Sequence, residues 1–115
     1  MSKPGPEAEK LAVEFLQRNG LILVESNFRS RFGEIDLILK DGASLVFAEV
    51  RLRSSQHFGG AAASITSAKQ AKIIRTAQHY LQQTRSNRPC RFDAVLLDSL
   101  DAHRIEWIRN AFEGE

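Results

Sequence analysis

The chain has 115 residues, 43% of them apolar and 26% charged, which suits one soluble globular domain around a single core. No apolar run approaches the ~20 residues of a membrane-spanning helix. The lone Cys90 excludes an internal disulfide, no Cys/His cluster suggests zinc, and the amino-terminal residues lack the apolar stretch of a signal peptide, so the expected setting is the cytoplasm.

The net charge of +2 is small, but its distribution is uneven. Between Glu49 and Asp93 there is no acidic residue, while Arg51, Arg53, Lys69, Lys72, Arg75, Arg85, Arg88 and Arg91 fall in that interval. Arginine supplies 11 of the 16 basic residues, and its guanidinium fork suits phosphate. The segregation points to a polyanion-facing surface, although a solvated basic helix face accounts equally well for charge alone.

In chain order, residues 6–19 read as an amphipathic helix. Ala8, Leu11, Ala12, Phe15 and Leu16 form its stripe, Pro6 suits its first position and Gly20 its stop. Glu9 lies beside that stripe. Residues 21–28 read as a strand, followed by a polar and basic connection in which Arg29 and Arg31 could hold phosphates.

Residues 33–40 and 44–53 then read as a β-hairpin around the turn signal Asp41-Gly42. Strand alternation places Ile35, Leu37, Leu39, Val46, Ala48, Val50 and Leu52 on one face. Glu34, Asp36, Ile38, Lys40, Leu45, Phe47, Glu49, Arg51 and Arg53 fall on the other. With a two-residue Asp41-Gly42 loop, opposed residue numbers sum to 83 and Asp36 lies diagonal to Glu49. A loop two residues longer sets Asp36 directly opposite Glu49. In either register the acids lie within about 5 to 8 Å at Cβ.

Residues 54–63 are small and Gly-containing, which predicts a loop beside the acidic face, with His57 in it. Residues 67–84 read as a second helix, with Ser67 as N-cap and Gln70 completing a capping box. Its expected apolar stripe is Ala71, Ile74, Ala77 and Tyr80/Leu81, broadened by Ile73, and Lys69, Lys72 and Arg75 occupy other positions. After a basic turn, residues 91–98 form an apolar strand that belongs in the sheet interior. Residues 99–102 turn, 103–109 alternate as an edge strand, and the acidic tail 113–115 should fray. The element order is α-β-β-β-α-β-β.

Two carboxylates on adjacent strands, Asp36 and Glu49, with a cation two residues beyond the second, can hold Mg²⁺ while leaving positions for water and phosphate oxygens. The carbonyl of Val50 would point into the same space. A surface hairpin laced by ion pairs among Glu34, Lys40, Glu49 and Arg51 uses the same residue types.

With these residues set out, the chain resembles the YraN-type family of small bacterial proteins. That family is akin to archaeal Holliday-junction resolvases within the PD-(D/E)xK nuclease superfamily. The likeness runs through Glu9, Ala12, Leu16, Gly20, Asn27-Phe28-Arg29, Gly33-Glu34-Ile35-Asp36-Leu37-Ile38, Val46-Phe47-Ala48-Glu49-Val50, Arg53, Phe58-Gly59, Lys69 and Arg91-Phe92-Asp93.

The resemblance implies a restriction-endonuclease-like α/β fold, a central mixed sheet flanked by helices. It implies Mg²⁺- or Mn²⁺-dependent hydrolysis of phosphodiester bonds in branched or structured DNA. It places Asp36 and Glu49 on the metal-binding acids, Glu9 near the metal and Lys69 on a helix position near the site. Arg29, Arg31, Arg53, Lys69 and Lys72 become nucleic-acid contacts, and Glu34 is either an auxiliary acid or a strand anchor. A homodimer is implied by the two-fold symmetry of junctions. One position departs from the pattern: Arg51 stands where the family has lysine. Arginine keeps the charge but cannot accept a proton from water. The alternative expectation is therefore a nucleic-acid-binding module that has lost cleavage.

Overall fold

The computed structural model describes residues 5–52, 65–98 and 104–113. Helix α1 spans Pro6–Arg18, strand β1 Ile22–Ser30, β2 Gly33–Asp41, β3 Ser44–Leu52, helix α2 Ser67–Gln83, β4 Cys90–Leu97 and β5 Ile105–Phe112. The five strands form one sheet in sequential order. Neighbours are antiparallel except β3 and β4, which run parallel. A parallel pair cannot be joined by a tight turn, and α2 lies in the connection that joins this one. The expected α-β-β-β-α-β-β order and mixed sheet are both present. The loop expected over 54–63 with His57, the Phe58-Gly59 pair, Arg53, the turn at 99–102, His103 and the last two residues lie outside the described residues.

Each face of the sheet buries one helix. On one side Ala8, Ala12 and Leu16 of α1 pack on Leu37, Leu39, Val46, Ala48, Val50, Val95 and Leu97. On the other, Ile73, Ala77 and Tyr80 of α2 pack on Phe28, Ile38, Phe47, Phe92, Ala94 and Leu96. Strands β3 and β4 are buried on both faces and read as nearly unbroken apolar runs. Aromatic pairs brace the α2 side: Phe47 stacks on Phe92 at 5.5 Å, and Tyr80 meets Phe28 edge-on at 5.1 Å.

Local chemistry corrects several expectations. The hairpin turn sits one residue later than Asp41-Gly42. Asp41 faces Ser44 across a Gly42-Ala43 loop, and opposed numbers sum to 85. Gly42 has φ +61, as a type II′ turn requires at its first central position. The N-cap of α2 is Thr66, not Ser67: its hydroxyl accepts the Lys69 backbone N–H at 3.2 Å, and Gln70 donates to the Ile65 carbonyl instead of closing a capping box. Thr66→Ala should cost about 1 kcal/mol in thermal or urea unfolding, and an unchanged midpoint would contradict the cap.

The buried face of α2 is Ile73, Thr76, Ala77 and Tyr80, with Ala71 exposed. Thr76 is tolerated there because its hydroxyl donates to the Lys72 carbonyl at 2.7 Å. Ile35 joins the α2-side cluster, against strict alternation. Regular β2–β3 pairing runs only from Asp41↔Ser44 to Leu37↔Ala48, while β2 stays paired to β1 through Ser30↔Gly33.

Asp93 is fully buried and has a structural task. It accepts from Arg91 Nε, from Trp107 Nε1 at 2.9 Å and from the Asn110 backbone N–H at 3.1 Å, where β4 and β5 slip register. Arg91 also ion-pairs with Asp41 at 2.8 Å, tying the β2–β3 turn to β4.

Candidate functional site

The acidic pair sits where β2 and β3 leave their regular ladder. Beyond Leu37 the strands are joined by carboxylates: the Val50 N–H donates to Asp36 Oδ2 at 2.9 Å, and the Asp36 N–H donates to Glu49 Oε2 at 3.3 Å. Each acid thus satisfies a backbone N–H that the ladder leaves open, and both are held beside one another in the buried sheet. A cavity of about 220 Å³ opens over them. It is lined by Gly33, Glu34, Asp36, Glu49 and Arg51 from the hairpin and by Lys69, Lys72 and Ile73 from α2.

Gly33 lets α2 approach this closely. Its φ is +149, and a Cβ there would meet Thr76 Oγ1 at 3.3 Å and Lys72 Cβ at 3.6 Å. Any side chain would be strained and would push on the helix that carries the lysines.

Electrostatics mark Glu49. Its carboxyl is pushed up to about 8, first by burial and then by the neighbouring Asp36 carboxylate; Arg51 and Lys69 pull it part of the way back. The folded protein therefore binds this proton more tightly than the unfolded chain, so Glu49 lowers stability progressively as pH rises from about 5 to about 8. Glu49→Gln removes that slope. In EDTA, the variant should gain on the order of a few kcal/mol relative to the parent between those pH values. Parallel unfolding-versus-pH curves would contradict the assignment.

Arg51 is buried, and its guanidinium folds back on the acidic pair. Nη2 lies 3.3 Å from Glu49 Oε1, and Nη1 donates to the Val50 carbonyl at 3.3 Å. The side chain thus contacts two of the expected metal donors at once.

The other expected site residues divide. Lys69 and Lys72 come to the cavity from the first turns of α2. Glu34 lines it and also pairs with Arg29 at 3.3 Å, so that Arg29 is a strand partner as much as a cation for phosphate. Arg29 lies within β1, not in the connection after it. Glu9 is not among the cavity-lining residues; it accepts from Asn27 Nδ2 at 3.1 Å. Asn27, at φ +54, falls between the pairs Ser26↔Leu37 and Phe28↔Ile35, across from Asp36, so Glu9 reaches this strand segment through Asn27. Arg31 turns to a neighbouring concavity, beside Phe32. Sequence reasoning did not single out Gly33 or Ile73 as cavity walls; the positive φ at Gly33 was signalled only by the residue type.

Among the described residues no three His, Cys, Asp or Glu side chains gather into a metal-binding group. Two carboxylates nevertheless suit Mg²⁺ or Mn²⁺ chemistry, because Mg²⁺ is commonly held by one or two carboxylates and keeps several waters. Burial and the neighbouring Asp36 carboxylate both disfavour the charged form of Glu49, and a cation bound between the two acids would offset that cost. No helix is long and apolar enough to cross a membrane, among the described residues.

Residues 8–97 match the family described as Uncharacterised protein family UPF0102. A UPF0102 protein of Nitrosomonas europaea is 58% identical over 109 residues, covering 95% of this chain and 92% of the relative. One from Methylobacillus flagellatus is 54% identical over 112 residues, covering 97% and 98% respectively. One from Nitrosococcus oceani is 53% identical, covering 96% and 92%.

Proposed function

The chain belongs to the uncharacterised protein family UPF0102, the YraN-type family, and from its acidic cavity we propose that it is a metal-dependent phosphodiesterase of the PD-(D/E)xK type, acting on branched or structured DNA. The observation that carries this reading is the pair Asp36 and Glu49, each bonded to the other's strand and both facing a cavity walled by Lys69 and Lys72. Asp36 and Glu49, with the Val50 carbonyl, would hold the metal. A bound Mg²⁺ or Mn²⁺ supplies an acidified water and charge neutralisation at the phosphate. Lys69 and Lys72 supply fixed positive charge on the opposite wall, where they orient the anionic phosphate and favour the charge that grows in the transition state. Arg51 supplies charge but no general base.

The test is cleavage of labelled four-way junction, flap and single-stranded DNA with Mg²⁺ or Mn²⁺. Cleavage that requires the metal and disappears in Asp36→Ala and Glu49→Ala supports the assignment; cleavage unaffected by EDTA or by both substitutions overturns it.

A second reading is favoured by one observation. The Arg51 guanidinium already engages Glu49 Oε1 and the Val50 carbonyl, which is what a module that binds nucleic acid without cutting it would do with its acids. Strands β1 and β5 are the outer strands of the sheet, and sedimentation across a concentration series tests the homodimer that the resemblance implies.

A further inference from the structure

Beside the acidic cavity lies a second concavity, of about 290 Å³, lined by Arg31, Phe32, Arg75, Gln78, His79 and Gln82. No carboxylate is among its lining residues, and Arg31 and Arg75 make no ion pair among the described residues, whereas Arg29 pairs with Glu34. Two arginines and a histidine therefore line one hollow that no carboxylate of the described residues lines. Both arginines are exposed to water, so an anionic group entering the hollow can meet them without breaking an existing ion pair among the described residues.

The walls are held in place. The Arg31 guanidinium carbon lies 4.9 Å from the Phe32 ring centroid, a cation–π contact. His79 is set between two aromatic rings, Phe32 at 6.0 Å and Phe28 at 6.3 Å. Gln78 and Gln82 add amide donors and acceptors.

The two cavities share their frame. Lys72 lines the first and Arg75 the second, three residues apart on α2 and about 4.5 Å along its axis. Gly33 lines the first, and Arg31 and Phe32 precede it on the same turn.

We propose that the Arg31/Arg75 concavity binds a backbone phosphate of a nucleic-acid strand, adjacent to the phosphate presented to the acidic cavity. The proposal rests on the nucleic-acid part of the reading above. It adds a subsite, and it makes Arg75, which the sequence grouped with Lys69 and Lys72 in the first turns of the second helix, a strand-binding group. A strand thus runs along the Lys69–Lys72–Arg75 face of α2, and productive engagement requires a phosphate flanking the scissile one.

The test is equilibrium binding, in EDTA, of a labelled single-stranded oligonucleotide and of its duplex across a salt series. The double variant Arg31→Gln/Arg75→Gln should bind at least one of the two probes about tenfold more weakly at moderate salt, with the slope of log affinity against log salt reduced by about one. Arg31→Lys/Arg75→Lys should restore most of the slope, because phosphate contact needs the charge more than the fork. Both side chains are exposed, so the melting temperature should not move. Unchanged affinity and slope for both probes in the Gln double variant overturns the proposal while leaving the phosphodiesterase reading intact. Conversely, a parent protein that never cuts under any metal overturns that reading, while the binding defect of the Gln variant still supports the subsite.

Discussion

Asp36→Asn is expected to lower metal-dependent cleavage about a hundredfold or more while leaving the fold nearly as stable as the parent, and Asp36→Ala is expected to lose both. The difference follows from what Asp36 does in the sheet. Its Oδ2 accepts the Val50 N–H at 2.9 Å in a buried position. Asparagine keeps one oxygen for that N–H and replaces the charged carboxylate with a neutral amide whose nitrogen donates. Alanine also removes the acceptor, and a buried orphaned N–H costs about 1–3 kcal/mol. Loss of the charge removes one of the two proposed metal carboxylates, so the cleavage rate should fall on the order of a hundredfold or more. It also relieves Glu49 of the carboxylate that helps push it up to about 8, although burial, the larger cause, remains. Glu49 in Asp36→Asn should therefore titrate lower than in the parent but still above an ordinary glutamate. Cleavage assays, thermal melts and an NMR titration of the Glu49 side chain measure the three consequences separately. An Asp36→Asn protein that cuts at the parental rate removes Asp36 from the chemistry, whatever its stability.

How much of this site was legible in the sequence depends on the range of the physics involved. The acidic face of the hairpin followed from alternation, which is local. The facing of Asp36 and Glu49 turned on the register, and a one-residue shift of the turn from Asp41-Gly42 to Gly42-Ala43 decided it. The turn signal alone carried both possibilities. Ile35 departs from alternation just beyond the last β2–β3 pair, Leu37↔Ala48, at the site itself, where the two carboxylates accept backbone N–H groups of the facing strands.

Helix periodicity located α2 but misjudged its rotation. Thr76 is polar in sequence and buried in the fold, because its hydroxyl can bond back to the Lys72 carbonyl. That rotation brings Lys69 and Lys72 to one cavity and Arg75 to the next. Glu9, expected near the metal, does not line the acidic cavity and instead accepts from Asn27, a residue whose positive φ has no signature beyond asparagine's tolerance of it. Arg29 and Arg31, two residues apart and alike in sequence, separate completely: one is paired with Glu34, the other faces the second concavity. Only the positions of neighbouring strands and helices distinguish them.

Arg51→Lys should tighten divalent-metal binding about tenfold, and it separates the two readings of the acidic cavity. The Arg51 fork spans Glu49 Oε1 and the Val50 carbonyl with its two terminal nitrogens, each at 3.3 Å. It acts as an internal cation on the donors a metal would use. Lysine carries the same charge as a single, strongly hydrated point on a flexible stem. It cannot bridge both oxygens in the same planar geometry, so at least one donor is released. Arg51→Ala goes further. It leaves Glu49 without the guanidinium that draws its proton affinity down, so the metal-free protein should be less stable than the parent, above all toward pH 8, and Mg²⁺ or Mn²⁺ should restore the loss. Thermal melts of parent, Arg51→Lys and Arg51→Ala across a metal series, with EDTA as reference, read both effects. If cleavage rises in Arg51→Lys along with metal affinity, the native arginine restrains a competent phosphodiesterase. If metal binding tightens and no substrate is cut, the acids of this chain serve binding alone. Equal metal stabilisation of all three proteins would show that the guanidinium does not compete for these donors at all.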